Sequence, residues 1–380
     1  PVPPEWTRDV ALSHFDYFTS NGTSWNKEVD WLAARLSKAE RSRVVFAQQG
    51  WYDNIGDYSY DPKRDAFLDN WTFGPNSPFW VPGTGGSKGH WDCRACNNCC
   101  DGQGQPKVWE FPLSVKAVRE SYQYARSRGF RVLHYFGDGL AMCKTARTYN
   151  ASHVFPDGLV RGVVNHMADC KCGPGDPACN AVQNPLIPEV YNFYIKFMKA
   201  LLREFGDVID GFVWDETFYI RPTDQFVQAA GGYAATANLR LIEELTAMVH
   251  AHNPEMVFMS SDMPWPDFVP YGIVASGQFP DFEVAGMTWP ALYATTGRRA
   301  AVWSCDWEPV AHLGLTVATT CTYGSVPSLG MTFHTGQYPN VGISGMATKD
   351  SDTILRLFRG LMAGNACNAS SDAPKQVHVI

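Results

Sequence analysis

The residues best suited to chemistry in this chain are carboxylates and aromatics that follow short β-rich runs. The clearest is Asp215, which closes the run Val208-Ile-Asp-Gly-Phe-Val-Trp-Asp-Glu216, with Trp214 before it and Glu216 behind it. Comparable groups follow the other runs. Trp51, Tyr52 and Asp53 end residues 43–52, and His134, Tyr135 and Asp138 end residues 130–136. Asp262 and Trp265 follow 256–260, and Gln278, Asp281 and Glu283 follow 272–278. Trp303, Asp306, Trp307 and Glu308 cluster around 300–304, and His334 closes 328–334. Two carboxyl groups flanking one bond are what acid–base cleavage of a glycosidic linkage requires. One protonates the leaving oxygen, and the other attacks the anomeric carbon or activates water. Flat aromatic faces stack on sugar rings, so the remaining rim residues are expected carbohydrate contacts. Each also has a plainer reading: a strand-end aspartate can cap the following helix, His134 can be a satisfied interior histidine, and Trp51, Trp265 and Trp307 can roof a core.

These groups share a rim only if the runs are parallel strands. Short β-rich runs alternate with longer segments of helical period, which predicts βα units and a parallel sheet. Helices are expected near 25–40 (Val29, Leu32, Leu36, Ala39), 113–128 (Val118, Tyr122, Ala125), 187–205 (Val190, Tyr194, Phe197, Met198, Leu201, Phe205) and 234–252 (Leu241, Leu245, Met248, Val249). Gly129 and Gly206 follow two of these helices, and Asn253-Pro254 stops the last. Strands are expected at 43–52, 130–136, 208–214, 256–260, 272–278, 300–304 and 328–334, with one more hidden near 67–74 or 107–111; Asp350–Met362 reads as a closing helix. Eight strands make a (β/α)8 TIM barrel: one domain spanning 1–380, with long cysteine-rich insertions at about 53–112 and 140–185. Such barrels build their sites at the carboxyl ends of the strands.

Composition narrows the classes of partner. Hydrophobic residues make up 45% of the chain, enough for a large core, whereas charged residues are only 18%. Thirteen Trp and sixteen Tyr exceed what a core usually needs; their flat faces suit a carbohydrate partner, while composition alone favours a large core with ordinary interface aromatics. A net charge of −7 without a basic stripe argues against nucleic acid. No apolar run is long enough for a membrane span. The start at Pro1 without a leader reads as a mature or trimmed product.

Eleven cysteines predict an oxidising, extracellular setting: Cys93, Cys96, Cys99, Cys100, Cys143, Cys170, Cys172, Cys179, Cys305, Cys321 and Cys367. Cys93-x-x-Cys96-x-x-Cys99-Cys100 has a spacing that zinc or an iron–sulfur cluster accepts, but no second Cys-x-x-Cys follows, so disulfides are expected and no metal. The odd total leaves a thiol free or joined to another chain, which allows a disulfide-linked or self-assembled partner. Asn21-Gly-Thr, Asn70-Trp-Thr, Asn150-Ala-Ser and Asn368-Ala-Ser are glycosylation sequons and point to a secreted glycoprotein. Gly83-Thr-Gly-Gly86 lacks the lysine of a phosphate loop, no Gly-x-Ser-x-Gly elbow is present, and no cofactor is expected.

Asp210-Gly-Phe-Val-Trp-Asp-Glu216 resembles the fourth-strand signature of retaining glycoside hydrolases of the α-galactosidase and α-glucosidase type, in which a strand reading Asp-Gly-aromatic-x-x-Asp ends in the nucleophile. The helix followed by Gly129-Phe-Arg-Val-Leu-His-Tyr135 resembles the preceding unit of those barrels. The layout covers residues 113–310 and the motif about nine residues. The resemblance implies hydrolysis of O-glycosidic bonds in a polysaccharide or glycoconjugate, with Asp215 as nucleophile and Asp281 as acid/base. The usual accessory β-sandwich is not evident, and Gln278-Phe-Pro-Asp281 matches no pattern of that family. The adjacent Asp215-Glu216 pair also resembles the pair used by β-hexosaminidase-like barrels, where Glu is the acid and Asp steadies the substrate's acetamido group. A third reading is a non-catalytic extracellular barrel that binds sugar or assembles.

Overall fold

A computed structural model describes residues 4–17, 23–49, 51, 58–73, 80–81, 90–91, 111–138, 140–142, 180–182, 185–186, 188–215, 234–260, 273–276, 303–304, 355–360 and 362–363. Along the chain, a 3-10 turn (Glu5–Asp9) leads into β1 (Leu12–Tyr17), α1 (Thr23–Arg35), α2 (Lys38–Arg41) and β2 (Val44–Gln49). Short strands follow: β3 (Tyr60–Asp61), β4 (Ala66–Phe67), β5 (Trp71–Phe73), β6 (Trp80–Val81), β7 (His90–Trp91) and β8 (Phe111–Leu113). Then come α3 (Val115–Ser127), β9 (Arg131–Asp138), β10 (Leu140–Met142), β11 (Asn180–Val182), α4 (Pro188–Phe205), β12 (Gly211–Asp215) and α5 (Ala234–His252). β13 (Val257–Ser260), β14 (Ile273–Ser276) and β15 (Trp303–Ser304) are the last of the described strands, and residues 355–360 are helical. The chain divides into two compact units, and β9 contributes its first three residues to one and the rest to the other.

The first unit comprises Pro1–Gln49, Ser121–Leu133 and Ser261–Ile380. β1 and β2 run parallel in register from Leu12↔Val44 to Tyr17↔Gln49, the start of β9 lies on the other side of β2, and β14 pairs in parallel with β15. α1 buries Trp25, Val29 and Leu32 at spacings of four and three, the single apolar stripe a helix on a sheet requires. The Trp25 indole N–H donates to the Ser121 carbonyl at 2.9 Å, and its ring meets Phe46 of β2 edge-on at 5.1 Å. Ser37 and Glu40 form a reciprocal capping box at the start of α2. The Arg41 guanidinium then donates to Leu36 O (3.0 Å), Ala33 O (2.6 Å) and Arg128 O (3.3 Å). One planar fork thereby satisfies carbonyls left open at the ends of both α1 and α3. Gly129 follows α3 with φ 93°, a conformation that favours glycine. The helix of residues 355–360 buries Leu355, Leu357 and Phe358, while Arg359 donates to Glu40 at 2.9 Å and to Arg35 O at 3.0 Å.

The second unit comprises Gly50–Glu120 and His134–Ser260. The end of β9 lies beside β12, which pairs in parallel with β13 in register Gly211↔Val257 to Trp214↔Ser260. α4 buries Val190, Phe193, Tyr194, Phe197, Met198, Leu201 and Phe205 along one stripe. Among the described residues, the unit also carries four two-stranded antiparallel ribbons: β3/β4, β5/β8, β6/β7 and β10/β11. Arg119 of α3 clamps Asp207, just past α4, through two hydrogen bonds of 2.7 Å.

The predicted helices and the parallel βα alternation correspond to described elements, with two corrections: the helix expected at 25–40 is α1 and α2, separated where Ser37 caps α2, and the strand expected near 67–74 or 107–111 is not a parallel one. Residues 71–73 and 111–113 are not a hidden parallel strand; they are β5 and β8, paired antiparallel to each other. The parallel strand absent from the periodicity reading is β1, before the first helix. Its sequence Leu-Ser-His-Phe-Asp-Tyr gives no uninterrupted apolar run, because His14 occupies a buried position and is matched there by Glu28 of α1 at 2.8 Å. Strand 328–334 lies outside the described residues.

Candidate active site at the carboxyl ends of β9 and β12

β12 is positioned from both its ends and its flank. Asp210, buried just before the strand, accepts the Val257 amide on its carbonyl at 3.0 Å. Gly211 has φ 154°, and a Cβ built there would meet Val257 O at 2.2 Å and Val257 N at 2.8 Å. The glycine of the Asp-Gly motif is therefore demanded by the close approach of β13. Beyond it, side chains alternate. Trp214 packs on Tyr194 of α4 at 5.3 Å and on Phe258 of β13 at 5.8 Å. Phe212 meets His134 at 6.0 Å. Val213, also buried, lies in the opposite phase. Asp215 is the last residue of β12. Asp138 is likewise the last residue of β9.

A layer of aromatic rings supports these strand ends. Trp51 is fully buried, and its indole N–H donates to Tyr135 O of β9 at 3.0 Å. Trp71 of β5 in turn donates its indole N–H to Trp51 O. The His134 ring stacks on Phe205 at 4.9 Å and lies 4.2 Å from Trp51. Burial holds the His134 imidazole well below the usual histidine range, so it is neutral. Tyr58 stacks between Trp51 (6.1 Å) and Phe197 (5.4 Å). Tyr58 and Ser59 have φ of 50° and 62°, the left-handed region, which costs on the order of 1–3 kcal/mol per non-glycine residue. Both are buried, so packing holds the strained pair in place.

Of the expected site residues, Trp51, His134, Tyr135 and Trp214 are brought together in this one unit, each as a buried side chain with packing contacts. Asp138 and Asp215 are placed by their strands, and Trp303 sits in β15 opposite Ala275. Asn70 is exposed. Tyr52, Asp53, Glu216, Asp262, Trp265, Gln278, Asp281, Asp306, His334, the sequon residues Asn21, Asn150 and Asn368, and all eleven cysteines lie outside the described residues. Sequence reasoning missed Tyr58, Phe67, Trp71 and Phe205 as partners of the strand ends. Only the helical stripe on α4 and the excess of aromatics signalled them. Among the described residues, no cluster of His, Cys, Asp and Glu could hold a metal ion, and no helix is long and apolar enough to cross a membrane.

No family model matches the chain, and no curated protein matches it. Solved structures do match. The native form of a debranching enzyme from Nostoc punctiforme is 10% identical with a TM-score of 0.51, over 96% of this chain and 81% of that one. A cyclic α-maltosyl-(1→6)-maltose hydrolase from Arthrobacter globiformis, ligand-free, is 11% identical with a TM-score of 0.50, over 95% of this chain and 83% of that one. A Paenibacillus cycloisomaltooligosaccharide glucanotransferase is 11% identical with a TM-score of 0.47, and the chain covers 38% of its length. At these identities the likeness is one of fold: this chain shares the parallel α/β architecture of the Nostoc and Arthrobacter enzymes, which are glycoside hydrolases.

Proposed function

We propose that this chain is a secreted glycoside hydrolase built on a closed (β/α)8 barrel, with insertions at 53–112 and 140–185 and a retaining mechanism. The observation that carries the reading is the place of Asp215: the last residue of β12, a strand parallel to β13, in a motif whose glycine is fixed by the approach of β13. The rim of such a barrel is where its chemistry is done. The fold likeness to a debranching enzyme and to a cyclic α-maltosyl-(1→6)-maltose hydrolase supports α-glucosidic linkages as the first substrates to try.

In this mechanism the Asp215 carboxylate attacks the anomeric carbon while Asp281 protonates the departing oxygen. Asp281 then deprotonates water, which displaces Asp215 from the glycosyl-enzyme with net retention. Such chemistry needs the two carboxyl groups about 5–5.5 Å apart. The buried, neutral His134 and the Trp51–Tyr135 hydrogen bond hold the end of β9 without adding charge behind the site.

The test is hydrolysis of α-1,4- and α-1,6-linked glucans and aryl α-glucosides by the wild type and Asp215→Asn, with the anomer of the first product read by NMR. Loss of kcat by several orders of magnitude, with retention in the wild type, is the expected result. Undiminished hydrolysis by Asp215→Asn removes the nucleophile assignment, and an inverted product removes the retaining mechanism.

A further inference from the structure

The structure singles out one of the four sequons. Asn70-Trp71-Thr72 begins at an exposed asparagine, in the segment between the β3/β4 hairpin and β5. The next residue is anchored: Trp71 is only 5% exposed and donates its indole N–H to Trp51 O. The backbone before it is tied as well, with the Leu68 amide donating to Ser59 O at 2.8 Å. Asn70 is therefore a surface residue on a fixed base, and its side chain makes no hydrogen bond to a described residue. Its surroundings are hydrophilic. Lys63, Arg64, Asp65 and Asp69 are all exposed, and the Arg64–Asp69 ion pair at 3.5 Å stands in solvent. A bulky, hydrated substituent on Asn70 would thus displace no core contact, whereas one on the neighbouring Trp71 position would.

We infer that Asn70 is an N-glycosylation site whose occupancy the folded protein accepts without rearrangement. This goes beyond the catalytic proposal and depends only on entry into a secretory compartment. The donor class is an oligosaccharide joined through a diphosphate to a polyprenyl lipid. The Asn70 amide nitrogen forms a bond to C1 of the first sugar and loses a proton. The C1–oxygen bond to the diphosphate breaks, and the lipid diphosphate leaves. Thr72 completes the acceptor motif.

The experiment expresses the full chain behind a secretion signal in a eukaryotic host and recovers it from medium and from the lumenal fraction. Peptide N-glycosidase treatment in heavy-oxygen water converts each occupied asparagine to a labelled aspartate, which peptide mass spectrometry locates. The expected result is label at Asn70 in the majority of molecules, abolished in Thr72→Ala, and a loss of one glycan-sized mobility step in Asn70→Gln. Thermal unfolding before and after enzymatic deglycosylation is expected to differ little. An unlabelled, unmodified Asn70 in either fraction overturns the site assignment. A large loss of stability on deglycosylation overturns the claim that the fold is indifferent to the glycan.

Discussion

Replacing Gly211 by alanine is the sharpest test of how β12 is held. Two costs coincide at this position. A Cβ would stand 2.2 Å from Val257 O, 2.6 Å from Val257 Cγ2 and 2.8 Å from Val257 N, and two of these three atoms are backbone that cannot rotate away. Forcing a methyl group into a filled space costs about 1–3 kcal/mol. The φ of 154° adds about 1–3 kcal/mol for any residue with a side chain. The sum, about 4 kcal/mol at mid-range, corresponds to a fall in Tm of roughly 8–16 °C for a domain of ordinary size. Gly129 is the control. Its φ of 93° is strained for alanine, but the nearest atom to an added Cβ is Arg41 Cβ at 3.7 Å, ordinary contact. Only backbone strain of roughly 1–2 kcal/mol applies there. Thermal and urea unfolding of Gly211→Ala and Gly129→Ala, side by side, measure the difference. If Gly211→Ala unfolds with the wild type, or costs no more than Gly129→Ala, the close approach of β12 and β13 is not what fixes this glycine.

Three further expectations concern charge and protonation. His134 is neutral in the fold, so the unfolded chain takes up a proton there first; its contribution to stability is full above pH 6.5 and falls as pH drops below it, and His134→Leu should flatten that acid limb of Tm against pH. Tyr191 has its hydroxyl pushed up to about 12 by burial and by donation to Glu244, so its contribution to stability, held below pH 10, should decline between pH 10 and about 12, and Tyr191→Phe should make alkaline unfolding curves less steep by that contribution. Arg119→Ala should cost about 1 kcal/mol in urea unfolding by removing the bidentate contact to Asp207 and the bond to Glu204 O, with the difference shrinking at high salt because Asp207 is 64% exposed.

The helices were legible because their burial is one-sided. Val190, Tyr194, Phe197, Leu201 and Phe205 repeat at three and four residues, and the same residues are buried in α4. β12 was legible because its apolar run is framed by Asp210-Gly211 and Asp215. β1 was not, since a buried His14–Glu28 pair looks in sequence like two surface residues on unrelated elements. β5 and β8 have strand composition, but composition does not reveal whether a three-residue strand pairs in parallel or antiparallel fashion. At the site, Asp215 announced itself through its motif. The rings behind it come from positions as distant as Tyr58 and Phe205, and only the folded chain brings those together.

The β5/β8 ribbon has a consequence for how this protein can change. Trp71↔Leu113, Thr72↔Pro112 and Phe73↔Phe111 hold the two ends of the interval 74–110 at a fixed, strand-to-strand separation, and the Trp71 indole ties that base to Trp51. Closing a loop on such a base depends only logarithmically on its length, about 0.6 kcal/mol per doubling. On this term alone, a change in the number of residues between Phe73 and Phe111 costs the β5/β8 base little, while the Trp71 indole keeps that base tied to Trp51.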